Sequence, residues 1–490
     1  MSTDLRRLAT STGVYAAAAV AQQAVGFLLI PFYTRLIPPN EYGVLEIFNA
    51  FSGIGFACLT MGLSSAINKV YHRDCGDSDK RTVLVTAVLL DLPVLLGAAL
   101  LLLACARPLS VQLTGSDASQ SLVTLAVASG FLYSIATLLL AGLRAQERAT
   151  AFALLSLVQF LSALALNLFF VVKLGWGVRG VFWGNLLSNA LLAVLAAVAS
   201  QRTALLHFSR PLVRPLLSFG LYLIPVMLAG WVMDMSDRYF LRLYGSLDEV
   251  AVYGVGYKFG MILQVAIVWP FQLAWPAFSF GISKRPGHQQ TYARTLTYLM
   301  AVQVLAVLGL ALLAPVVLPR LLGKAYHDAY RIIPFVALAY ACNGIQYCVA
   351  PGIHLANRTK QLSVLAMIAA ALNIALNLLL IPPFGMFGAA WSTLLAFLFL
   401  ALTTAFVAQS GYPVPYEYGR LAKLLGAAVL TYIAAQSLNP DSLALAIAWR
   451  LALALLIFPL LLLAGGFLVQ DERALFGTLV RRWRPSMVQK

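Results

Sequence analysis

Apolar stretches of about twenty residues follow one another along almost the whole chain, and they dictate the class of structure it can form. Val83–Ala104 contains one charged residue, Asp91, Leu443–Val469 contains one, Arg450, and Ser363–Ile381 contains none. About 20 apolar residues, at 1.5 Å of rise each, match the roughly 30 Å hydrocarbon core of a bilayer as an α-helix. Barrel strands would read as segments of about ten residues with alternating polarity, whereas these runs are continuous. Composition agrees: 11% of the 490 residues are charged and 61% are hydrophobic, against about 25% charged in soluble domains. That is too little charge to coat a water-soluble particle of this size. A cytosolic enzyme, a disordered chain and a secreted disulfide scaffold are excluded, and an all-α integral membrane protein is expected.

Taken in order, the runs predict fourteen transmembrane helices, at 12–31, 44–67, 82–104, 120–141, 150–172, 179–199, 213–233, 251–278, 293–318, 332–350, 362–381, 386–408, 419–437 and 443–469. Pro270 and Pro276 predict a kink in the eighth. With this number of spans both termini share one side, which receives 23 of the 34 Lys and Arg residues. The positive-inside rule makes that side the cytoplasm. Topology and anionic lipid then account for most of the net charge of +16, and nucleic acid is not expected as a partner. Arg6 and Arg7 before an Ala-rich run resemble a signal peptide, but the run continues to Ile30, so retention is expected.

The chain also reads as a duplication. Gly142–Val172 lies over Gly352–Pro382 at an offset of 210 residues, matching Gly142 to Gly352, Arg148 to Arg358 and Ala165-Leu166-Asn167-Leu168 to Ala375-Leu376-Asn377-Leu378. After a two-residue skip, Gly177 and Gly180 meet Gly385 and Gly388, and Trp183 meets Trp391. Upstream, Tyr42-Gly43-Val44 meets Tyr253-Gly254-Val255 at an offset of 211. Shared apolarity explains matched leucines and alanines, but it explains matched Asn, Gly, Arg and Trp poorly. Six helices per copy is an even number, so the copies are expected as parallel repeats about an axis along the membrane normal. The expected organisation is an N-terminal six-helix repeat over 1–210, a C-terminal six-helix repeat over 211–410, and two extra helices with a basic tail over 411–490. Two such repeats around a central cleft suit alternating access, although architecture does not fix a substrate.

Charges in or beside the spans are costly, by a few kcal/mol each on insertion scales, and so are candidates for function. Asp91 sits mid-span two residues before Pro93; it reads as a proton or sodium site or as half of a helix-packing ion pair. Arg35 lies in the turn Pro31–Gly43 with Glu46 as its plausible partner, and reads as a substrate contact or an interface anchor. Met233–Arg242 is read as opening an outer turn; Asp234 and Arg238, and again Arg238 and Arg242, are four apart, which would place them on one side of a continuing helix. Asp237 lies in the same stretch, and Lys258 closes Tyr253-Gly-Val-Gly-Tyr-Lys258. Lys69, with Asn68, caps the inner end of the second span or belongs to a cytoplasmic mouth. Lys258, Arg238, Arg242, Arg35 and Lys69 facing a cavity would suit an anionic headgroup such as pyrophosphate. Asp91, Glu46, Asp234 and Asp237 would serve ion coupling or ion pairing. No metal site, cofactor or catalytic triad is expected: the five cysteines have no ligand spacing, the histidines are scattered, and there is no GxxxxGK[ST] loop. Asp77-Ser-Asp79 looks like a glycosyltransferase metal motif, but it lies in a short basic loop with no domain around it.

These residues resemble a known family. The turn Pro31–Gly43 resembles the N-terminal signature of the polysaccharide biosynthesis protein family. Asp237-Arg238-Tyr-Phe-Leu with Val252-Tyr-Gly-Val-Gly-Tyr-Lys258 is similar to its second-half signature, and Asn373-Ile-Ala-Leu-Asn377 with Phe384-Gly-Met-Phe-Gly-Ala-Ala390 to its eleventh-to-twelfth-helix turn. The family belongs to the multidrug/oligosaccharidyl-lipid/polysaccharide flippase superfamily and includes Wzx-type flippases. The resemblance implies a non-enzymatic flippase that moves undecaprenyl-diphosphate-linked oligosaccharide (O-antigen, capsule or exopolysaccharide units) from the inner to the outer leaflet. It also implies membrane lipid around the chain, H⁺ or Na⁺ coupling, a glycan polymerase and chain-length regulator as partners, and a bacterial cytoplasmic (inner) membrane location. The rival readings are a cation-coupled multidrug antiporter, which should favour acidic residues in its cavity, and a lipid II flippase, for which the first span, without charge, is a poor match. A membrane-bound polymerase would carry a large periplasmic loop, and no connection exceeds about 20 residues.

Overall fold

The computed structural model describes residues 26–74, 80–201, 207–356, 358–438, 440 and 442–469. Among these, every regular element is helical, and eleven helical stretches are long and apolar enough to cross a membrane. Large apolar side chains such as Leu101, Leu379, Leu402 and Phe406 stand exposed on the outside. Such a surface is a liability in water but the ordinary outer face of a protein solvated by lipid. The chain is a multi-pass membrane protein. Most of the first expected span, the Asp77-Ser-Asp79 loop, the signal-like amino terminus and the basic tail lie outside the described residues.

A helix over 26–36 (α1) leads into α2 (Pro39–Leu59) and α3 (Leu63–Lys69). Next come α4 (Lys80–Ala104), α5 (Ala106–Thr114), α6 (Gln120–Ala145), α7 (Ala149–Asn167) and α8 (Gly177–Gln201). The long α9 (Arg210–Tyr244) is followed by α10 (Leu247–Leu263), α11 (Trp269–Ile282), α12 (His288–Leu321), α13 (Ile333–Leu355), α14 (Thr359–Phe384) and α15 (Met386–Gly411). The last are α16 (Tyr418–Gln436), α17 (Leu443–Ala452) and α18 (Phe458–Ala464). Helix α8 packs on α6 and α7, and α15 packs on α13 and α14. Between these groups α2 packs on α10 and α9, while α16 and α17 lie against α12.

Three departures from the sequence reading have local causes. The span expected at 44–67 is two helices, because Met61 and Gly62 adopt left-handed φ values of 48° and 64°. Gly62 also presses on the backbone of Gly220 in α9, leaving no room for a Cβ. The expected kink near Pro270 takes the form of a π-helical segment, Gln264–Val268, joining α10 to α11. Proline cannot donate an i→i−4 bond, and a wide turn beside it absorbs the missing donor. Finally, Met233–Arg242 does not open a turn. Helix α9 runs on to Tyr244 and stops at Gly245, and the Ser246 hydroxyl caps α10 by accepting from the Glu249 N–H. Asp234, Asp237, Arg238 and Arg242 are therefore helical residues held at fixed angles about one axis.

Candidate functional site

The contact between α2 and α10 sets the geometry of the candidate site. Gly43 on α2 lies against the Leu247 carbonyl, and a Cβ on Gly254 of α10 would fall 2.7 Å from the Glu46 side chain. Two glycines thus let the backbones approach, as small residues do between membrane helices. The approach brings Lys258 of α10 onto Glu46 of α2 in an ion pair, and Lys258 also donates to the Tyr42 hydroxyl at 2.9 Å. The Lys258 side chain keeps 25% of its surface exposed, whereas Glu46 keeps 4%. Tyr326, in the 3₁₀ segment Lys324–Arg331, packs edge-on against Tyr42 and donates to the Ile37 carbonyl. Burial, with Tyr42 and Asp248 nearby, pushes its phenol well above the ordinary range, so it stays a neutral donor.

Beside the α2–α10 contact, between α9 and α10, Asp237, Arg238, Tyr253 and Tyr257 are buried and Asp234 is half-buried. Asp237 accepts from the Arg238 guanidinium at 2.7 Å, from the Arg238 N–H at 2.9 Å, from Thr393 at 3.4 Å, and from the Tyr253 hydroxyl. Arg238 is 1% exposed. Its guanidinium lies 4.0 Å from the Tyr257 ring centroid and also donates to the Asp234 carbonyl oxygen. The Asp234 carboxylate accepts from Tyr257 and Tyr340. The i,i+4 spacing does place Asp234 beside Arg238, but the guanidinium meets the Asp234 backbone and pairs through its side chain with Asp237.

The remaining sequence candidates lie apart from one another. Arg35 does not reach Glu46; it is exposed and donates at 3.0 Å to the Arg320 carbonyl at the end of α12. Arg242 reaches toward Gly115 at the end of α5. Lys69 sits 4.6 Å from the centroid of the Phe219 ring, where α3 meets α9. Asp91 is completely buried in α4, and neither carboxylate oxygen meets a donor among the described residues. Among the described residues no cation pairs with it.

Lys258 forms part of the wall of a cavity that the sequence reading missed. Two adjoining cavities of about 400 Å³ and about 280 Å³ share Asn49, Tyr133, Asn185 and Asn189. The smaller also reaches Tyr33, Gln159, Asn167 and Lys258. A chain of side-chain hydrogen bonds lines them: Tyr33 to Asn167, Asn167 to Asn185, Gln159 to Asn189, and Asn189 to Ser129. Asn167 had stood out only as a repeat match. The available signal was a set of carboxamides at helical spacing, Asn185 and Asn189, inside an apolar span.

The family model described as polysaccharide biosynthesis protein matches residues 8–281, which take in α2, α10, Glu46, Arg238 and Lys258. The chain belongs to the polysaccharide biosynthesis protein family. It is similar to a probable low-salt glycan biosynthesis flippase, Agl15, of Haloferax volcanii, with 20% identity over 81% of this chain and 82% of that protein. An uncharacterized membrane protein of Methanocaldococcus jannaschii, MJ1068, is 28% identical over 39% of this chain and 38% of its own length. In fold the chain resembles the lipid II flippase MurJ in its inward closed conformation, with a TM-score of 0.74 at 14% identity, covering 91% of this chain and 97% of that one. It also resembles an inward-facing multidrug resistance MATE family transporter of the MOP superfamily, with a TM-score of 0.67 at 15% identity over 79% and 94%. The fold is that of MOP-superfamily transporters.

Proposed function

We propose that this member of the family is a flippase for undecaprenyl-diphosphate-linked oligosaccharides, carrying O-antigen, capsule or exopolysaccharide units from the inner to the outer leaflet by alternating access. The observation that carries the reading is Lys258, a partly exposed cation at the edge of a neutral polar cavity, placed where α10 meets α2. An ammonium there can hold a diphosphate as a point charge, while hydrogen-bonding walls replace the water lost by a sugar headgroup. The lipid tail stays in the bilayer, and no covalent step is needed.

The expected organisation of two six-helix repeats, over 1–210 and 211–410, with an appended 411–490, belongs to the same reading. A matched pair of contacts supports it. Glu41 at the start of α2 accepts from the Val178 N–H at the start of α8, and Glu249 at the start of α10 accepts from the Met386 N–H at the start of α15. Rocking of one repeat against the other would separate α10 from α2 and break the Glu46–Lys258 pair. An arriving diphosphate can replace Glu46 as the partner of Lys258, which couples headgroup binding to that separation. Asp91, buried with no hydrogen-bond partner among the described residues, is the group we assign to a coupling proton or sodium ion; a bound cation is the natural way to compensate a carboxylate so placed. The positive-inside charge distribution supports a cytoplasmic-membrane location with both termini inside.

The test is translocation of a fluorescent undecaprenyl-diphosphate oligosaccharide in proteoliposomes. Wild type is expected to move the lipid, Lys258→Ala to lose at least tenfold in rate (about 1.4 kcal/mol of barrier), and Asp91→Asn to lose its response to an imposed ion gradient. A wild-type protein that ignores the lipid and exchanges a cationic dye for protons would replace this reading with a multidrug antiporter.

A further inference from the structure

We infer that the carboxamide-lined cavity between α2, α6, α7 and α8 is a subsite for uncharged, hydroxyl-rich sugar residues, distinct in chemistry from the charged α2–α10 contact at its edge. This rests on the flippase reading and adds which part of the headgroup sits where. Among the described residues, Lys258 is the only one in the walls of the two adjoining cavities with a formally charged side chain. The rest of the polar lining is amide and hydroxyl, which donate and accept at once and so match sugar hydroxyls, themselves both donors and acceptors. A cationic drug would call for carboxylates in the wall, and a polyanionic glycan for further cations; among the described residues neither lines the cavity.

Hydrogen bonding within the wall separates scaffold from receptor groups. The Asn189 side chain is taken up at both ends, accepting from Gln159 at 3.2 Å and donating to the Ser129 hydroxyl at 3.0 Å. Asn167 is likewise used, by Tyr33 and by Asn185. These fix the wall. Asn185 accepts only a long 3.4 Å bond from Asn167, which leaves its own N–H₂ group pointing to no protein acceptor among the described residues. Asn49 is exposed on α2 and hydrogen-bonds no other described side chain, although it borders both cavities. Tyr133, 43% exposed, presents a ring to the same space, suited to the C–H face of a pyranose. Pre-positioned amides held by a second layer of amides are how a site keeps polar specificity without reorganising on binding.

The test compares binding of two probes to the reconstituted full-length protein: undecaprenyl diphosphate alone, and the same lipid carrying a neutral tetrasaccharide. Wild type is expected to hold the glycosylated lipid more tightly. Asn185→Ala and Asn49→Ala should each weaken the glycosylated lipid by about fivefold to tenfold, as for the loss of one hydrogen bond, and leave the bare lipid unchanged. Lys258→Ala should weaken both probes alike. Asn49 makes no packing hydrogen bond among the described residues, so its variant decides the question even if Asn185→Ala folds poorly. Equal weakening of both probes by Asn49→Ala, no weakening at all, or equal wild-type affinity for the two lipids overturns the sugar subsite and leaves the flippase intact. Failure of wild type to bind either lipid overturns both.

Discussion

Two cations a short way apart, Arg238 on α9 and Lys258 on α10, have opposite surroundings. Arg238 is enclosed by Asp237, a backbone carbonyl and the faces of Tyr253 and Tyr257, and its carboxylate partner is itself saturated with four donors. Lys258 has one carboxylate and one phenol on one side and a cavity on the other. A guanidinium can satisfy a planar cage and be shut in; a flexible ammonium can change partners at modest cost. Neighbouring helices therefore hold one cation shut in among its partners and one that keeps a face on a cavity.

Removing the first should be the more damaging. Arg238→Ala strands Asp237 in the interior, and uncompensated buried charges of this kind cost about 3–5 kcal/mol; thermal unfolding in detergent should show a large loss, recovered in good part by adding Asp237→Asn. Equal damage from the double variant would mean that the cage is held by packing and not by charge pairing. Lys258→Ala should lower stability far less, by about 1 kcal/mol, while removing most translocation. If its unfolding temperature falls as far as that of Arg238→Ala, the contrast between the two cations is wrong. The baseline is the exposed Arg107–Asp117 pair, 3.5 Å apart with side chains 73% and 59% exposed. Arg107→Ala should change unfolding by less than about 0.5 kcal/mol, and a larger effect would show that exposed charges contribute more to this bundle than burial suggests.

Much of this was legible in the chain. Unbroken apolar runs can be satisfied only by helices in lipid, because each backbone group must find its partner within its own segment. The signatures around Tyr42, Asp237-Arg238 and Lys258 marked residues that the bundle draws to neighbouring places. The break at Met61-Gly62 escaped notice because hydropathy is blind to φ, and a left-handed pair among apolar residues does not interrupt it.

What the sequence alone determined is the material: helices, their approximate ends, the orientation expected from their basic flanks, and the list of charges too costly to be incidental. Those properties follow from local periodicity and from the transfer energy of single residues. Only the tertiary structure decided the pairings. It gave Glu46 to Lys258 and not to Arg35, gave Arg238 to Asp237 rather than to the side chain of Asp234, and left Asp91 with no hydrogen-bond partner among the described residues. It also gathered Asn49, Gln159, Asn185 and Asn189 from three helices around one cavity. Which groups meet depends on how helices cross and rotate, which is set by side-chain packing over the whole bundle; no window of sequence contains that information.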